Sequence, residues 1–329
     1  MALLIVRYLN QGVIRWGRLI SDAPAAAEAH IEVAPLKTNA TTTASLITAF
    51  DAGAVDEVEE SVSLKAAALL SPVTNDATLV CQGLNYVSHA AEARHHERKQ
   101  NLFFAKASSS LTGPFSNIER PRDVQLLDYE VEFAVVLRAA LGQGISVDDD
   151  NLGDYVAGVI LCNDVSARDI MFGASFLQWY QGKSYRTFCP AGPVLYLLEK
   201  TEARKVLANL EIKLWVNGEV RQSASSSQLI FKPAETLTQL SRIVDLKAGD
   251  LLLTGTPGGV TAPASPKLIE ILKTNLMADE VRRDALRVEM AAFRPFLKPG
   301  DVVTATLHDG AFDTSLGGLE NRITAVEEG

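Results

Sequence analysis

The sequence predicts a β-rich α+β protein, because many short apolar runs of strand composition are interspersed with few helical segments. Runs rich in Val, Ile and Leu recur along the chain, and turn residues separate them. The helical patterns do not alternate regularly with the strands, which argues against a doubly wound parallel sheet. With 329 residues, 47% of them hydrophobic, the chain is long enough for about two globular domains.

Residues 1–74 are predicted to form a small N-terminal domain. "LLIVRYL" and "GVIRWGRLI" flank Asn10-Gln11-Gly12 and predict a hairpin of two strands. The segment that follows is rich in Ala, Thr and Ser, and its patches "SLITAF" and "SLKAAALL" predict short helices. Residues 75–329 then form the second, larger domain.

The larger domain begins with a strand, "TLVCQG", and a helix, "YVSHAAEARHHERKQ". Further strands are predicted at "YVAGVILCNDVSA" and "GPVLYLLE", and a helix at "AETLTQLSRIV". "EIKLWVNGEVRQSA" predicts a hairpin, because Asn217-Gly218 supplies the positive φ angles of a type I′ turn. "GDLLLTGTPGGV" predicts a strand that runs into a loop.

Acidic residues gather at the start of one predicted strand and the end of another. In "LLDYEVEF", Asp128, Glu130 and Glu132 alternate with other residues, so a strand would project all three carboxylates from one face. In "LCNDVSARD", Asp164 directly follows an apolar strand, where an unpaired carboxylate is costly. Carboxylate oxygens grouped in this way suit Mg²⁺ or Mn²⁺. The alternative is a solvated strand edge at Glu130 and Glu132, with Asp164 as a turn cap.

Composition argues against several classes of function. The net charge of −9 and the lack of a basic patch argue against a nucleic-acid surface. Three widely spaced cysteines fit neither a disulfide framework nor a zinc site, which indicates a reducing compartment. The opening "MALLIVRYLN" is too short an apolar run for a signal peptide, and no segment approaches a membrane span. The expected location is therefore cytoplasmic.

Five segments occur in the order seen in one protein family: "GLNYVSHAAE", "DYEVEFAVVL", "NDVSARD", "GKSYRTFCPAGP" and "TGTPGGV". From about residue 78 to its end, the sequence resembles the fumarylacetoacetate hydrolase family. The resemblance implies a mixed β roll, a homodimer, Mg²⁺ or Mn²⁺ as cofactor, and 2-oxo acid or 1,3-dicarbonyl substrates. It also implies that Glu130, Glu132 and Asp164 are the metal ligands, while Asp128 orients the strand.

The same resemblance assigns further residues to the active site. Lys183 in "GKSY" corresponds to an active-site lysine that would place a positive charge near the substrate oxygens. Arg168 corresponds to a substrate-facing arginine, although it could equally bridge Asp164 or Asp169 structurally. The remaining implied substrate contacts are Lys106, Tyr86, Thr254, Gly255 and Thr256.

Cleavage of a carbon–carbon bond by water would also need a general base. His89 and Glu92 lie three residues apart on a predicted helix, so the carboxylate could orient the imidazole, and the resemblance gives such a pair this part. The sequence therefore predicts a metal-dependent hydrolase that cleaves a C–C bond in a β-dicarbonyl compound or a 2,4-dioxo acid. Two alternatives remain: decarboxylation or keto–enol isomerisation of a 2-oxo dicarboxylic acid, and a ligand-binding protein that keeps the metal without turnover.

Three departures from the family pattern affect the expected substrate. Arg186 stands in "KSYRTF" where an acidic residue is frequent. Met171 stands where many members carry a glutamine, which replaces a hydrogen-bonding side chain by an apolar one. Residues 261–297 occupy a place where the family commonly has a short loop, and their apolar residues recur at helical spacing. This insertion is expected to be helical over residues 265–293 and to roof the active site or to pad a dimer interface.

Overall fold

A long mixed β-sheet forms the centre of the protein, and helices and a second sheet pack around it. The structure is a computed structural model that describes residues 2–92, 100–262, 266–274 and 277–326, with residues 90–92 described for the backbone alone. Within these residues, no helix is both long enough and apolar enough to span a membrane.

The first part of the chain is mostly strand. Its elements are β1 (Leu3–Asn10), β2 (Val13–Leu19), β3 (His30–Lys37), α1 (Thr43–Asp51), β4 (Asp56–Glu57), β5 (Val62–Lys65) and β6 (Leu69–Leu70). The hairpin expected around Gly12 is present, since Asn10 of β1 pairs with Val13 of β2. The helix expected at "SLITAF" is α1, which Thr42 caps by accepting a hydrogen bond from the Ser45 amide.

The prediction of a helix at "SLKAAALL" is wrong. Its residues form β5, one 3₁₀ turn at Ala66–Ala68, and β6. β5 pairs with β3 and β6 pairs with β1, so hydrogen bonds to the sheet outweigh the helical preference of alanine. Tertiary pairing overrides local propensity here.

The middle of the chain supplies the central strands. Its elements are β7 (Leu79–Gly83), α2 (Val87–Glu92), β8 (Leu102–Lys106), β9 (Leu111–Thr112), β10 (Ile118–Arg120), β11 (Leu127–Asp128), β12 (Val131–Leu137), α3 (Leu152–Tyr155), β13 (Val156–Asn163), β14 (Ser166–Ala167), α4 (Arg168–Met171), α5 (Trp179–Lys183) and β15 (Cys189–Leu197). The continuous strand expected through Asp128 and Glu132 is interrupted, because Asp128 belongs to β11 and Glu130 precedes β12.

The last part of the chain closes the fold. Its elements are α6 (Ala203–Leu207), β16 (Leu210–Val216), β17 (Glu219–Ser225), α7 (Pro233–Leu240), β18 (Leu251–Leu253), α8 (Pro266–Thr274), α9 (Asp279–Met290), β19 (Val302–Asp309) and β20 (Thr314–Ala325). The expected turn between β16 and β17 is confirmed, with φ angles of 51° at Asn217 and 81° at Gly218. α8 and α9 confirm the helices expected after residue 261.

The strands form two large sheets. The main sheet has 13 strands, with the order β4-β3-β2-β1-β15-β13-β12-β18-β7-β8 and β5, β6 and β9 attached to β3, β1 and β15. The second sheet has the order β10-β20-β19-β16-β17, and β11 pairs separately with β14. Because β1 pairs with β15, the N-terminal segment shares the main sheet with the rest of the chain. The division into domains at residue 74 stays a prediction.

β12 lies deep in the protein and determines where the acidic residues meet. Phe133 and Val135 pack into one hydrophobic cluster, whereas Ala134 and Val136 on the opposite face pack into another. β12 and β13 are antiparallel, and Val131 pairs with Asn163. The start of β12 therefore lies beside the end of β13, which brings the two glutamates next to Asp164.

Candidate metal centre

Three buried carboxylates form the centre of the candidate site. Glu130 precedes β12, Glu132 lies within it, and Asp164 follows β13. Each offers one oxygen, and these oxygens all lie within 4.8 Å of one another. The solvated strand edge considered as the alternative is therefore wrong, because all three residues are buried.

Two lysines neutralise part of this charge. The Nζ atom of Lys183 lies 2.8 Å from Oε2 of Glu130 and 2.6 Å from Oδ2 of Asp164. The Nζ atom of Lys106 lies 2.6 Å from the other oxygen of Asp164 and also donates to the Phe188 carbonyl at 3.0 Å. Both ammonium groups are buried. Lys106 therefore contacts Asp164 from the side opposite Lys183, and it fixes the orientation of that carboxylate.

Arg168 bridges two acidic residues, but not the two considered from the sequence. Its guanidinium lies 2.9 Å from Oδ2 of Asp128 and 2.6 Å from Oε1 of Glu130. Asp169 instead accepts a hydrogen bond from the Gln125 amide at 2.6 Å. The structural alternative offered from the sequence, a bridge to Asp164 or Asp169, is wrong, because α4 places the guanidinium beside β11. Arg168 also lines the cavity described below, and its contact with substrate stays a prediction.

Asp128 links the centre to the segment that follows "TGTPGGV". Its carboxylate accepts hydrogen bonds from the backbone amides of Thr261 at 3.0 Å and Ala262 at 3.1 Å, in addition to Arg168. These bonds fix the beginning of the inserted segment against the same arginine that contacts Glu130. Asp128 thus does more than orient its own strand.

The loop after β18 holds Glu132 in place. The Gly255 amide donates to Oε2 of Glu132 at 2.7 Å, and the Thr256 hydroxyl donates to the Val131 carbonyl at 2.9 Å. Gly255 has a φ angle of +95°, and a Cβ atom there would lie 2.8 Å from Cβ of Asn85. Only glycine therefore fits this position without strain.

Burial and neighbouring charges affect the glutamates in opposite directions. Burial raises the pKa of the Glu132 carboxyl well above its usual range, and Asp164 and Glu130 raise it further. Burial also raises the pKa of Glu130, but Lys183 and Arg168 outweigh that effect and hold the pKa at about 2. At Glu132, burial and the two neighbouring carboxylates therefore outweigh the opposing effects of Lys183 and the Gly255 amide on the pKa.

The donor set fits a divalent cation. Oε1 of Glu132 is buried and has no hydrogen-bond partner among the described residues, which is costly unless a positive group binds it. Three carboxylates provide the hard oxygen ligands that Mg²⁺ and Mn²⁺ prefer. Glu130, Glu132 and Asp164 are thus the residues that could hold such an ion.

A cavity of about 170 Å³ lies beside the carboxylates. Its polar lining includes Glu130, Arg168, Lys183, His89 and Thr256. Four of the expected substrate contacts are not among the lining residues: Lys106, Tyr86, Thr254 and Gly255. Their structural contacts include the Gly255 bond to Glu132 and a bond from the Thr254 hydroxyl to the Phe133 carbonyl.

His89 lies in α2 and reaches this cavity. Glu130 lines the same cavity, so the imidazole and this carboxylate face a common space. The side chain of Glu92, the expected partner, lies outside the described residues. The His89–Glu92 pair stays a prediction.

Sequence reasoning missed the aromatic part of the lining. Phe104, Phe172 and Trp179 line the cavity, and the Trp179 ring centroid lies 5.3 Å from that of Phe104 and 6.3 Å from that of Phe172. Two local patterns could have identified them. Phe104 precedes Lys106 by two positions on a strand, and Trp179 precedes Lys183 by one helical turn.

Comparisons with known proteins identify the family to which the sequence is similar. The sequence profile of the fumarylacetoacetate (FAA) hydrolase C-terminal family matches residues 78–324. A mitochondrial oxaloacetate tautomerase of Bos taurus is 41% identical over 191 residues, which are 58% of this chain and 59% of that protein. The match thus spans about three fifths of that relative. The expected cytoplasmic location is not confirmed.

Solved structures match over nearly the full chain. A fumarylacetoacetate hydrolase from Exiguobacterium antarcticum has a TM-score of 0.69 and 26% identity, with coverage of 98% of this chain and 100% of that one. A 2-hydroxyhepta-2,4-diene-1,7-dioate isomerase from Mycobacterium marinum has a TM-score of 0.69 at 23% identity, covering 99% and 100%. The second likeness concerns the fold alone, and both support the expected mixed β architecture.

Proposed function

The chain belongs to the fumarylacetoacetate hydrolase family, and we propose on this premise that it is a metal-dependent enzyme that interconverts the keto and enol forms of a 2-oxo acid. The 41% identity to an oxaloacetate tautomerase favours this alternative over hydrolysis. One structural observation carries the proposal. A buried cluster of three carboxylates, with Lys183 and Arg168 bonded to it, lies beside a small cavity.

The reaction needs stabilisation of negative charge on one oxygen. Enolisation breaks a C–H bond at C3 of the 2-oxo acid and forms an O–H bond at the C2 oxygen, so the proton changes place without loss of atoms. The transition state carries enolate charge on that oxygen, and preorganised positive groups stabilise it. Lys183 and Arg168 supply fixed positive charge, because buried carboxylates hold both in position.

Glu130, Glu132 and Asp164 would hold a Mg²⁺ or Mn²⁺ ion, which when bound supplies a Lewis acid for the two adjacent oxygens of a 2-oxo acid. The protein's own groups then orient the substrate and move the proton. Lys106 keeps Asp164 in its ligand orientation through their 2.6 Å ion pair. Gly255 does the same for Glu132 through its backbone amide.

His89 is the candidate proton carrier. An imidazole exchanges a proton readily near neutral pH, and His89 lines the same cavity as Glu130. It would take the proton from C3 and deliver it to the C2 oxygen, and in the reverse reaction it would move the proton from that oxygen back to C3. Lys183 is less suited to that part, because Asp164 and Glu130 outweigh the effect of burial and raise its pKa.

Hydrolysis of a C–C bond is the second candidate, and the place of His89 in the cavity lining favours it. The same imidazole could activate water against an acylpyruvate. A decarboxylase would use the same charged groups without needing that base. The remaining alternative, binding without turnover, predicts no rate acceleration with any of these substrates.

The test is the rate at which enol-oxaloacetate converts to its keto form, with and without the protein, in Mg²⁺, Mn²⁺ or a chelator. We expect acceleration that requires metal and that falls by ~10²–10⁴-fold in His89→Ala. Acylpyruvate cleavage and oxaloacetate decarboxylation are measured on the same preparation. Faster cleavage than tautomerisation would reject the proposal in favour of hydrolysis. If the protein accelerated none of the three reactions, the result would support the alternative of a binding protein without turnover.

A further inference from the structure

The residues that line the cavity beside the carboxylates fall into two unlike groups, called here the polar wall and the apolar wall, which meet where Arg168 contacts the Met171 sulfur at 3.7 Å. The polar wall carries Glu130, Arg168 and Lys183 together with His89. The apolar wall consists of Met171, Phe172, Trp179, Leu268, Ile269 and Leu272. A substrate whose 2-oxo acid group binds at the polar wall would therefore place its far end against hydrophobic side chains.

Half of the apolar wall comes from the inserted segment. α8 directs Leu268, Ile269 and Leu272 toward the cavity, and Leu268 and Ile271 share a hydrophobic cluster with Leu286 and Met290 of α9. Among the described residues of the insertion, α8 therefore forms a roof over the cavity.

The roof is held in place at several points. The Asp128 carboxylate binds the amides of Thr261 and Ala262 at one end of the segment. At α9, the Ser175 hydroxyl donates to Asp279 at 2.5 Å, and the Arg282 guanidinium donates to the Gly173 carbonyl at 3.3 Å. The apolar wall is therefore a fixed part of the site and contacts whatever occupies the cavity.

The arginine and lysine of the described cavity lining are already engaged by carboxylates. Arg168 contacts Asp128 and Glu130, and Lys183 contacts Glu130 and Asp164. Both also belong to the polar wall, where the 2-oxo acid group would bind. Among the described residues, the apolar wall itself contributes no cation that could bind a second carboxylate.

We propose that the preferred substrate is a 2-oxo acid whose far end is an aryl or branched alkyl group rather than a second carboxylate. The inference rests on the proposed enolisation and specifies its substrate class. A carboxylate against the apolar wall would lose its hydration without gaining a partner, whereas an apolar group gains from leaving water. Met171 adds to this wall at a position where the family pattern more often has glutamine.

The test compares two enols in the metal-loaded enzyme, those of phenylpyruvate and oxaloacetate. We expect kcat/KM for ketonisation to favour phenylpyruvate by at least about tenfold, which is the range of discrimination available to a hydrophobic pocket. Equal values, or a preference for oxaloacetate, would overturn the inference while leaving the tautomerase proposal intact. No acceleration of either enol would instead contradict the proposed function.

Two variants test whether the apolar wall causes the preference for phenylpyruvate over oxaloacetate. Leu272→Arg adds a cation to the apolar wall and is expected to reduce the preference for phenylpyruvate at least about tenfold, chiefly by improving oxaloacetate. Val288→Arg makes the same kind of change on α9, where the side chain is 73% exposed and outside the cavity lining, and should leave the preference unchanged. Equal effects of the two variants would show that the wall does not select the substrate.

Binding provides a measurement that does not depend on turnover. Trp179 lines the cavity, so an aromatic ligand should change its fluorescence. We expect phenylpyruvate to change the emission at concentrations at which oxaloacetate does not, and Trp179→Phe to lose that response. A response of equal strength to oxaloacetate would count against the apolar preference even if the protein proved inactive as a tautomerase.

Discussion

Replacing Glu132 by glutamine should weaken the stabilising effect of divalent metal while leaving the metal-free protein at least as stable. In the wild type, the charges of Asp164 and Glu130 repel that of the Glu132 carboxylate, and its Oε1 atom has no hydrogen-bond partner in the part of the chain that the structure describes. A neutral amide removes that repulsion and can still accept the 2.7 Å hydrogen bond from the Gly255 amide. The metal-free variant should therefore be at least as stable as the metal-free wild type.

The bound ion changes this order. At a free metal concentration 100 times Kd, binding to the folded state alone stabilises the wild type by about 2.7 kcal/mol. For a chain of 329 residues that corresponds to a rise in Tm of roughly 4 °C. Glu132→Gln removes one of the three charged ligands, so its Tm should rise by much less.

The dependence on pH gives the same reasoning a second measurement. The folded pKa of Glu132 lies above its unfolded value, so the folded state binds more protons between the two. Stability of the metal-free wild type should therefore fall as pH rises through that interval, by up to about 1.4 kcal/mol per pH unit. Glu132→Gln lacks this contribution, and its stability should change less over the same range.

The Tm of the wild type and of Glu132→Gln tests these expectations. It is measured in chelator and in excess Mg²⁺ or Mn²⁺ over a series of pH values. Glu211→Gln, at an exposed position of β16, is the matched control and should behave as the wild type. If metal raised the Tm of Glu132→Gln as much as that of the wild type, Glu132 would not be a ligand. If the metal-free variant were much less stable than the wild type, the repulsion argument would be wrong.

Three further predictions concern substitutions of single residues. Lys183→Ala removes the ammonium bonded to Glu130 and should lower kcat for tautomerisation by ~10²–10³-fold in stopped-flow assays, and an unchanged kcat would contradict its part in charge stabilisation. Gly255→Ala should lose about 1–3 kcal/mol in urea unfolding. That loss should exceed the loss from Gly53→Ala, where φ is also positive but no described atom lies within 4 Å of the added Cβ, and equal losses would refute the steric argument. If the chain cleaves acylpyruvates, His89→Ala should lower that rate by ~10²–10⁴-fold while calorimetry finds the same metal affinity, and cleavage that survived would show that His89 is not the base.

The sequence alone determined the features that depend on neighbouring residues. Asp164 follows an apolar strand, Asn217-Gly218 forms a tight hairpin turn, and the apolar spacing after residue 261 produces α8 and α9. Side-chain alternation and helical periodicity are local properties, so one sequence suffices to detect them. The ordered motifs likewise indicated the family before any contact was known.

Only the tertiary structure decided which charges meet and which segments enclose the cavity. The Lys106–Asp164 pair joins residues 58 positions apart, and the Thr261 amide reaches Asp128 across 133 positions. Such contacts depend on the order of strands in the main sheet, in which β18 lies between β12 and β7 and brings Gly255 to Glu132. The same dependence explains the wrong partners expected for Arg168 and the wrong helix at "SLKAAALL". Local patterns state what a segment can form, whereas pairing and burial against distant segments decide what it contacts, because the free energy of those contacts exceeds local preference.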